Sequence, residues 1–375
     1  MEKYKLDCKY FSGYKPCSPG KVCSDCKDYS SMGTRILIIN FDALGDVLRT
    51  TAMLHPLKRK YKTSHVTWLT QETALPLLKD NHYIDRVLEY SVENTLLLLT
   101  ERFDVLMNVD KSRRSGSLAN LVDAKEKYGF GITETGAIYP YNVEAEHLYE
   151  LGLNDQMKFK ENKRSEQELL CEAMGLEYQR DEYILNLTQE EKDFVKSFKN
   201  QSGIKENQIV IGFNTGCSGL YPYKKLNFDK QLLFLKKLHK IFGHDRILLL
   251  GGREDTENNS ALKKKLQNKV VSTPTNEGLR KGILFMELCD IVVTGDTLGL
   301  HMALALKKSV AAFFTITCAA EIDLYERGDK VLTEADCSPC WKRECQNEKK
   351  CNEAVNIDSI CEAVKDLRSK IEKKA

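Results

Sequence analysis

The sequence lacks any long apolar run. Its longest, Thr95 to Thr100 and Ile247 to Leu250, have core-element length, far short of the ~20 residues a membrane-spanning helix needs. No apolar signal region follows Met1-Glu2-Lys3-Tyr4-Lys5-Leu6-Asp7-Cys8, so a cytoplasmic protein is expected. An excess of one charge is missing too. Lys and Arg number 56 against 54 Asp and Glu, a net charge of +2, which removes the global pull toward nucleic acid. The basic runs Lys58-Arg59-Lys60 and Lys263-Lys264-Lys265 read as solvated helix faces. With 42% hydrophobic and 29% charged residues, neither a disordered nor a fibrous chain fits, and 375 residues suffice for two globular domains.

Cysteine, by contrast, is abundant, at 13 residues. Disulfides are disfavoured in a reducing compartment, so clustered cysteines there point to metal or to catalysis. Cys8, Cys17, Cys23 and Cys26 form a Cys-x8-Cys-x5-Cys-x2-Cys pattern inside residues 1–32, a stretch with too few aliphatics to fold without a staple. Four thiolates so spaced suit a tetrahedral structural site, zinc first, with iron or a small iron–sulfur cluster also compatible. Cys337, Cys340, Cys345 and Cys351 make a second possible site of similar spacing. Cys361 falls in an expected helix and reads as packed. Cys171, Cys217, Cys289 and Cys318 read as small buried hydrophobes.

Between the clusters, strand and helix patterns alternate, which argues for α/β domains with parallel sheets covered on both faces. Strands are expected at 35–40, 65–69, 84–88 and 103–108, with helices over 47–61 and 119–127. The pattern weakens over 130–190, and a junction is expected near 187–208. The rhythm then restarts with strands at 208–213, 246–250, 290–294 and 309–314, helices over 228–242, 279–289 and 299–306, and a closing helix over 357–373. The expected organisation is a Cys-rich metal-binding segment (1–32), a Rossmann-like acceptor domain (33–190), a Rossmann-like nucleotide-sugar domain (191–352) and a C-terminal helix (353–375). A ligand belongs in the cleft between the domains.

Four loops at strand carboxyl ends could carry chemistry there. Leu44-Gly45-Asp46 offers a carboxylate suited to general-base work on a hydroxyl; the plainer reading is that Asp46 caps its helix, and Asp42 is a second candidate. The stretch from Gly212 to Gly219, with Thr215 and Gly216, followed by Lys224, could cradle a phosphate, although it is neither a Walker A nor a dinucleotide fingerprint. Asp296-Thr297-Leu298-Gly299, leading to His301, could hold a diphosphate at a helix start, or could simply be a cap followed by a packed histidine. Glu254 and Asp255, after Gly251-Gly252, could accept from ribose hydroxyls.

Taken in order, these segments resemble the ADP-heptose heptosyltransferases of glycosyltransferase family 9. Residues 35–56 resemble the family's opening strand and Leu-Gly-Asp-Val-Leu turn, and 103–131 its later N-domain strand and helix. Residues 211–228 resemble its donor loop, 296–305 its Asp-Thr helix start, and Cys337-Ser338-Pro339-Cys340 with Cys345 and Cys351 its Cys-rich tail. The resemblance implies a GT-B fold, with two Rossmann-like domains facing a central cleft, and inverting transfer from ADP-heptose without a catalytic metal. It implies Asp46 as general base, Lys224 on phosphate, and Asp296 with Thr297 at the donor. Closure of the cleft would bring the two sets together and exclude water. Leu226 stands where the family usually has an aromatic, and Leu298 separates Thr297 from Gly299.

The implied acceptor is a glycan hydroxyl, of lipopolysaccharide core or a related surface glycan. Loose contact with the inner membrane face would follow from lipid-linked acceptors. A protein O-heptosyltransferase, or a transferase using another nucleotide sugar, has the same motifs. A metal-binding adaptor without catalysis is the alternative of another class. No nucleic-acid partner is expected, and the oligomeric state stays open.

Overall fold

Short runs of β-branched and aliphatic residues set both sheets. The computed structural model describes residues 3–18, 20–267 and 269–373, so Met1, Glu2 and Pro19 of the Cys-rich segment, Asn268, and Lys374 and Ala375 of the terminal segment lie outside the described residues. The first sheet contains β1 (Thr34–Ile39), β2 (Ser64–Thr70), β3 (Arg86–Glu89), β4 (Arg102–Asn108), β5 (Asp123–Ile132) and β6 (Ile138–Pro140). Its order is β3-β2-β1-β4-β5-β6, parallel except where β6 runs against β5. The second contains β7 (Val210–Asn214), β8 (Arg246–Leu250), β9 (Val271–Ser272), β10 (Ile291–Gly295), β11 (Ser309–Phe314) and β12 (Gly328–Leu332), all parallel. Read from β9, its order is β9-β8-β7-β10-β11-β12. Counted from its own first strand, each sheet therefore runs 3-2-1-4-5-6, the doubly wound order whose ligands sit at the carboxyl ends of the central strands.

Helices cover both faces. Asn227 accepts from the Lys230 N–H (2.9 Å) to start the amphipathic helix Phe228–Phe242, which buries Phe234, Leu235, Leu238 and Phe242. The helix Ile357–Glu372 packs beside it, adding Ile360, Val364 and Leu367 to the same core. A larger apolar cluster runs through both halves of the chain, joining Ile36, Val47, Leu48 and Met107 to Val210, Ile283, Leu300 and Val310. Residues 187–208 contain the helix Gln189–Gln201, opened by a reciprocal Thr188–Glu191 cap. Glu191 also accepts from the Arg280 guanidinium at 2.6 and 2.7 Å, which ties this connection to the second half.

One expected helix is a strand. Residues 119–127 are split between the helix Arg113–Leu121 and β5. At the outer part of β5, Asp123, Lys125 and Glu126 are exposed, so its charge pattern imitates a helix face, and only Gly129, Phe130 and Gly131 beyond it are buried. The Cys-rich N-terminal segment lies on the first sheet. The Lys9 ammonium reaches Asp85 at 2.8 Å and the Ser64 carbonyl at 3.2 Å, and Cys8 bridges to Ser31. Among the described residues no helix is long and apolar enough to cross a membrane.

Candidate active site

At the carboxyl end of β1 the chain turns through Asn40 to Ala43 into the helix Leu44–Thr50, and Asp46 is that helix's third residue. Its Oδ2 accepts from the Ala43 N–H at 3.1 Å, so it helps cap the helix, while its Oδ1 accepts from Arg49 at 2.7 Å. The side chain keeps 44% of its surface, which leaves an edge free for a ligand. Burial opposes its ionisation, but Arg49 foremost, with His301, the Ala43 N–H and Lys224, holds the carboxyl below the usual range. Asp46 is thus a carboxylate at neutral pH.

A second carboxylate, Asp110, stands just beyond β4 and was not singled out from the sequence. It accepts from the Asn40 amide (2.7 Å) and the Phe41 N–H (2.5 Å). Burial foremost, with the charges of Asp42 and Asp46 adding to it, pushes this carboxyl up to about 7. The rule that selects Asp46, a carboxylate just past a strand's carboxyl end, would have found it. Asp42 is exposed and paired with Arg114 at 2.5 Å.

In the second half, Asp296 follows β10 and is buried. Lys224 comes to 3.5 Å of its Oδ2, and His301 Nε2 to 3.9 Å of its Oδ1. Burial again opposes ionisation, and Lys224 foremost outweighs it, so Asp296 is held ionised. Thr297 caps the helix Leu298–Ala305, accepting from the Gly299 N–H at 3.2 Å and from Asn214 at 3.0 Å. Gly299 lies against the Asn214 side chain. Thr215 is turned inward, its hydroxyl donating to the Leu250 carbonyl and Asn259. Asp255 is also buried, holding the Gly252 N–H at 2.9 Å and Lys225 at 3.3 Å, and its carboxylate fills the space where a side chain on Gly216 would go. Glu254 is exposed on the same loop. Leu226 is core, 1% exposed.

The two sets meet. A Cβ on Gly45 would stand 2.6 Å from the His301 ring, so the Leu44-Gly45-Asp46 turn rests directly on the second half's helix start. Tyr183 bonds His301 Nδ1 through its hydroxyl at 3.2 Å. Burial foremost, and then Arg49, pulls the imidazole down to about 4, so His301 is neutral near pH 7 and carries charge only in the acid range where Asp46 itself titrates. The cleft therefore offers an ionised, part-open carboxylate from one half, with a lysine and a capped helix start from the other. That arrangement can take a proton from a hydroxyl while meeting a departing anion.

The thiols behave differently at the two ends. Among the described residues no group of three or more His, Cys, Asp or Glu is gathered so as to hold a metal ion, and every described cysteine is a free thiol. Cys8 is buried, Cys17 exposed, and Cys23 and Cys26 half-buried. Cys351 is buried and its thiol is pushed up to about 11, by burial first and then by Cys340, Cys337 and Cys345, which places these four sulfurs in one neighbourhood. Cys171, Cys217, Cys289, Cys318 and Cys361 are all buried.

A family model, Glycosyltransferase family 9 (heptosyltransferase), matches residues 95–351. No curated protein matches the chain by sequence. Among solved structures it is similar to a glycosyltransferase family 9 protein from Veillonella parvula, with 16% identity, a TM-score of 0.71, and 89% of this chain and 97% of that one covered. It is also similar to Escherichia coli ADP-heptose lipopolysaccharide heptosyltransferase II (15% identity, TM-score 0.66, 90% and 100% covered). A more distant likeness is the dodecameric iron-containing heptosyltransferase TibC of E. coli, with 9% identity, a TM-score of 0.54, and 91% and 78% covered. With two doubly wound sheets meeting at such a cleft and the family's pattern over most of its length, the chain belongs to glycosyltransferase family 9 and is a glycosyltransferase.

Proposed function

We propose that the protein is an inverting transferase that moves a heptose from ADP-heptose to a hydroxyl of a glycan, with Asp46 as general base. One observation carries the reading. The Asp46 carboxylate is ionised, part-open and set against the Asp296–His301 helix start of the other half. In the reaction, Asp46 takes the proton of the acceptor hydroxyl as that oxygen bonds to the anomeric carbon. The bond from this carbon to the diphosphate oxygen breaks on the opposite face, which inverts the centre. ADP leaves with the electron pair, its charge met by Lys224 and the N–H groups that begin the helix at Leu298.

The donor assignment draws support from structural relatives. E. coli WaaC is known with ADP and with ADP-2-deoxy-2-fluoro heptose, and TibC with ADP-D-β-D-heptose. Exposed Glu254 is free to meet the nucleoside, whereas Thr215, Gly216, Asp255 and Gly299 shape the loops around it. We assign the acceptor to lipopolysaccharide core or a related surface glycan, met in the cytoplasm at the inner membrane face. Any metal on Cys8, Cys17, Cys23 and Cys26, or on Cys337, Cys340, Cys345 and Cys351, is zinc or iron in a structural role. Metal analysis of the purified protein, with Cys→Ser changes in each cluster, separates the two sites.

The test is to offer ADP-heptose, GDP-mannose and UDP-glucose separately, following binding and slow donor hydrolysis in the native protein and in Asp46→Asn. Selective binding of ADP-heptose, with hydrolysis lost in the variant, is expected. Preference for another donor would remove the heptose assignment and leave glycosyl transfer standing.

A further inference from the structure

The Cys-rich tail does more than follow the second sheet. Residues 338–341 lie across the carboxyl end of β11, where Ser338 donates to the Thr315 carbonyl and the N–H groups of Cys340 and Trp341 both reach the Ile316 carbonyl, at 3.0 and 2.9 Å. That docking presents the Trp341 indole at the cleft. The Lys224 ammonium lies 4.7 Å from the ring centroid and the Lys158 ammonium 5.0 Å. Tyr221 meets the indole edge-on at 5.5 Å, and Arg343 lies 5.6 Å over Tyr221. Two aromatic rings thus hold three cations drawn from three separate stretches of chain.

Like charges crowded on one ring repel, so something must offset them. Lys224 is steadied by Asp296 at 3.5 Å and Lys158 by Glu321 at 3.4 Å. Arg343 has no such carboxylate partner among the described residues. Lys224 also acts on Asp46, which sets this cationic group beside the reacting end of the cleft. An anion within reach of these ammonium groups would offset positive charge that the indole meets only in part.

We propose that Lys158 and Trp341 complete, with Lys224, the receptor for the donor's diphosphate: Lys158 as a direct anion contact, Trp341 as the positioning residue that holds both lysines. The tail is then part of the donor site, and its hydrogen bonds to the Thr315 and Ile316 carbonyls fix the loop from which Trp341 projects. This rests on the nucleotide-sugar reading above.

ADP and inorganic pyrophosphate are the probes, titrated calorimetrically into the native protein, Trp341→Ala, Trp341→Phe and Lys158→Met, with thermal melting of each. The chain has two tryptophans, and the other, Trp68, is fully buried in the first half. Binding should therefore change the intrinsic fluorescence of the native protein and leave that of Trp341→Phe unchanged. Trp341→Ala and Lys158→Met should each bind ADP about tenfold more weakly, with a matching rise in donor KM at little cost in kcat, and Trp341→Phe should recover most of the loss. Unchanged affinity in Trp341→Ala and Lys158→Met would overturn the inference while leaving the donor reading intact. Equal losses in Trp341→Ala and Trp341→Phe, accompanied by lowered melting, would reduce Trp341 to packing and also overturn it. If the native protein bound neither probe, the donor reading would fail first and take this inference with it; pyrophosphate binding without ADP binding would keep the anion receptor and remove the adenine nucleotide.

Discussion

Asp110 and Asp296 hold matching places in the two halves. Each follows the strand that crosses to the far side of its sheet, β4 in one and β10 in the other; Asp296 is buried and Asp110 half-buried. Their charges nevertheless diverge. Asp110 has Asp42 and Asp46 for neighbours and retains its proton up to about 7, whereas Asp296 has Lys224 and stays ionised. Burial opposes the charge in both cases, so the partners decide the outcome. The difference divides the labour of the cleft. One half gathers acids and the other cations, which suits the proposed reaction, in which a hydroxyl loses a proton on one side and a diphosphate leaves on the other.

The comparison is broken most forcefully at Asp46. Asp46→Asn keeps a hydrogen-bonding group of the same size but no base, and should lower the rate of transfer about a thousandfold with the melting temperature nearly unchanged. Transfer surviving at a tenth of the native rate would move the base elsewhere, with Asp110 the next to test. In the other half, Asp296→Ala leaves the sheltered Lys224 ammonium without its partner. We expect a loss of about 3–5 kcal/mol of stability by denaturant unfolding, larger than the same change at exposed Asp42 produces. Gly45→Ala should cost about 1–3 kcal/mol, since the new methyl must push into His301. The additional substitution His301→Ala should restore most of that loss.

A gentler probe is proton release. Asp110 unfolds to an ordinary carboxyl near 3.8 and holds its proton to about 7 when folded. Its contribution to stability is therefore full below the lower value and declines as pH rises through the upper one. Infrared titration should show a protonated carboxyl at pH 6 that Asp110→Asn removes and Asp296→Asn does not.

Much of this was legible in the sequence, and what was not has identifiable causes. The helix Phe228–Phe242 and the strands Arg246–Leu250 and Ser309–Phe314 are expected at the bounds observed, because the helix has a strong apolar spacing and the strands are buried beyond their first residues. β5 was misread because its outer half faces water, where a strand loses the alternation that would identify it. Loop positions were legible; the direction of each side chain was not. Asp255 and Glu254 are neighbours with the same chemistry, yet one is sealed under Gly216 and the other faces solvent. Asp110 lies inside the 103–131 stretch, whose strand and helix pattern says nothing of a lone carboxylate in the loop between them. Trp341 was hidden by the cysteines beside it, and Lys158 by a charged stretch without periodicity.

The apolar cluster shared by the two halves has a mechanical consequence. Val47 and Leu48 belong to the same packed body as Leu300 and Ala303, directly beneath the polar mouth of the cleft. Swinging the halves fully apart would expose that seam to water, so large separations are resisted while small tilts are not. Substrates would then enter and leave through rocking about a greasy pivot near Gly45, with the outer rims travelling farthest and the reacting groups hardly moving.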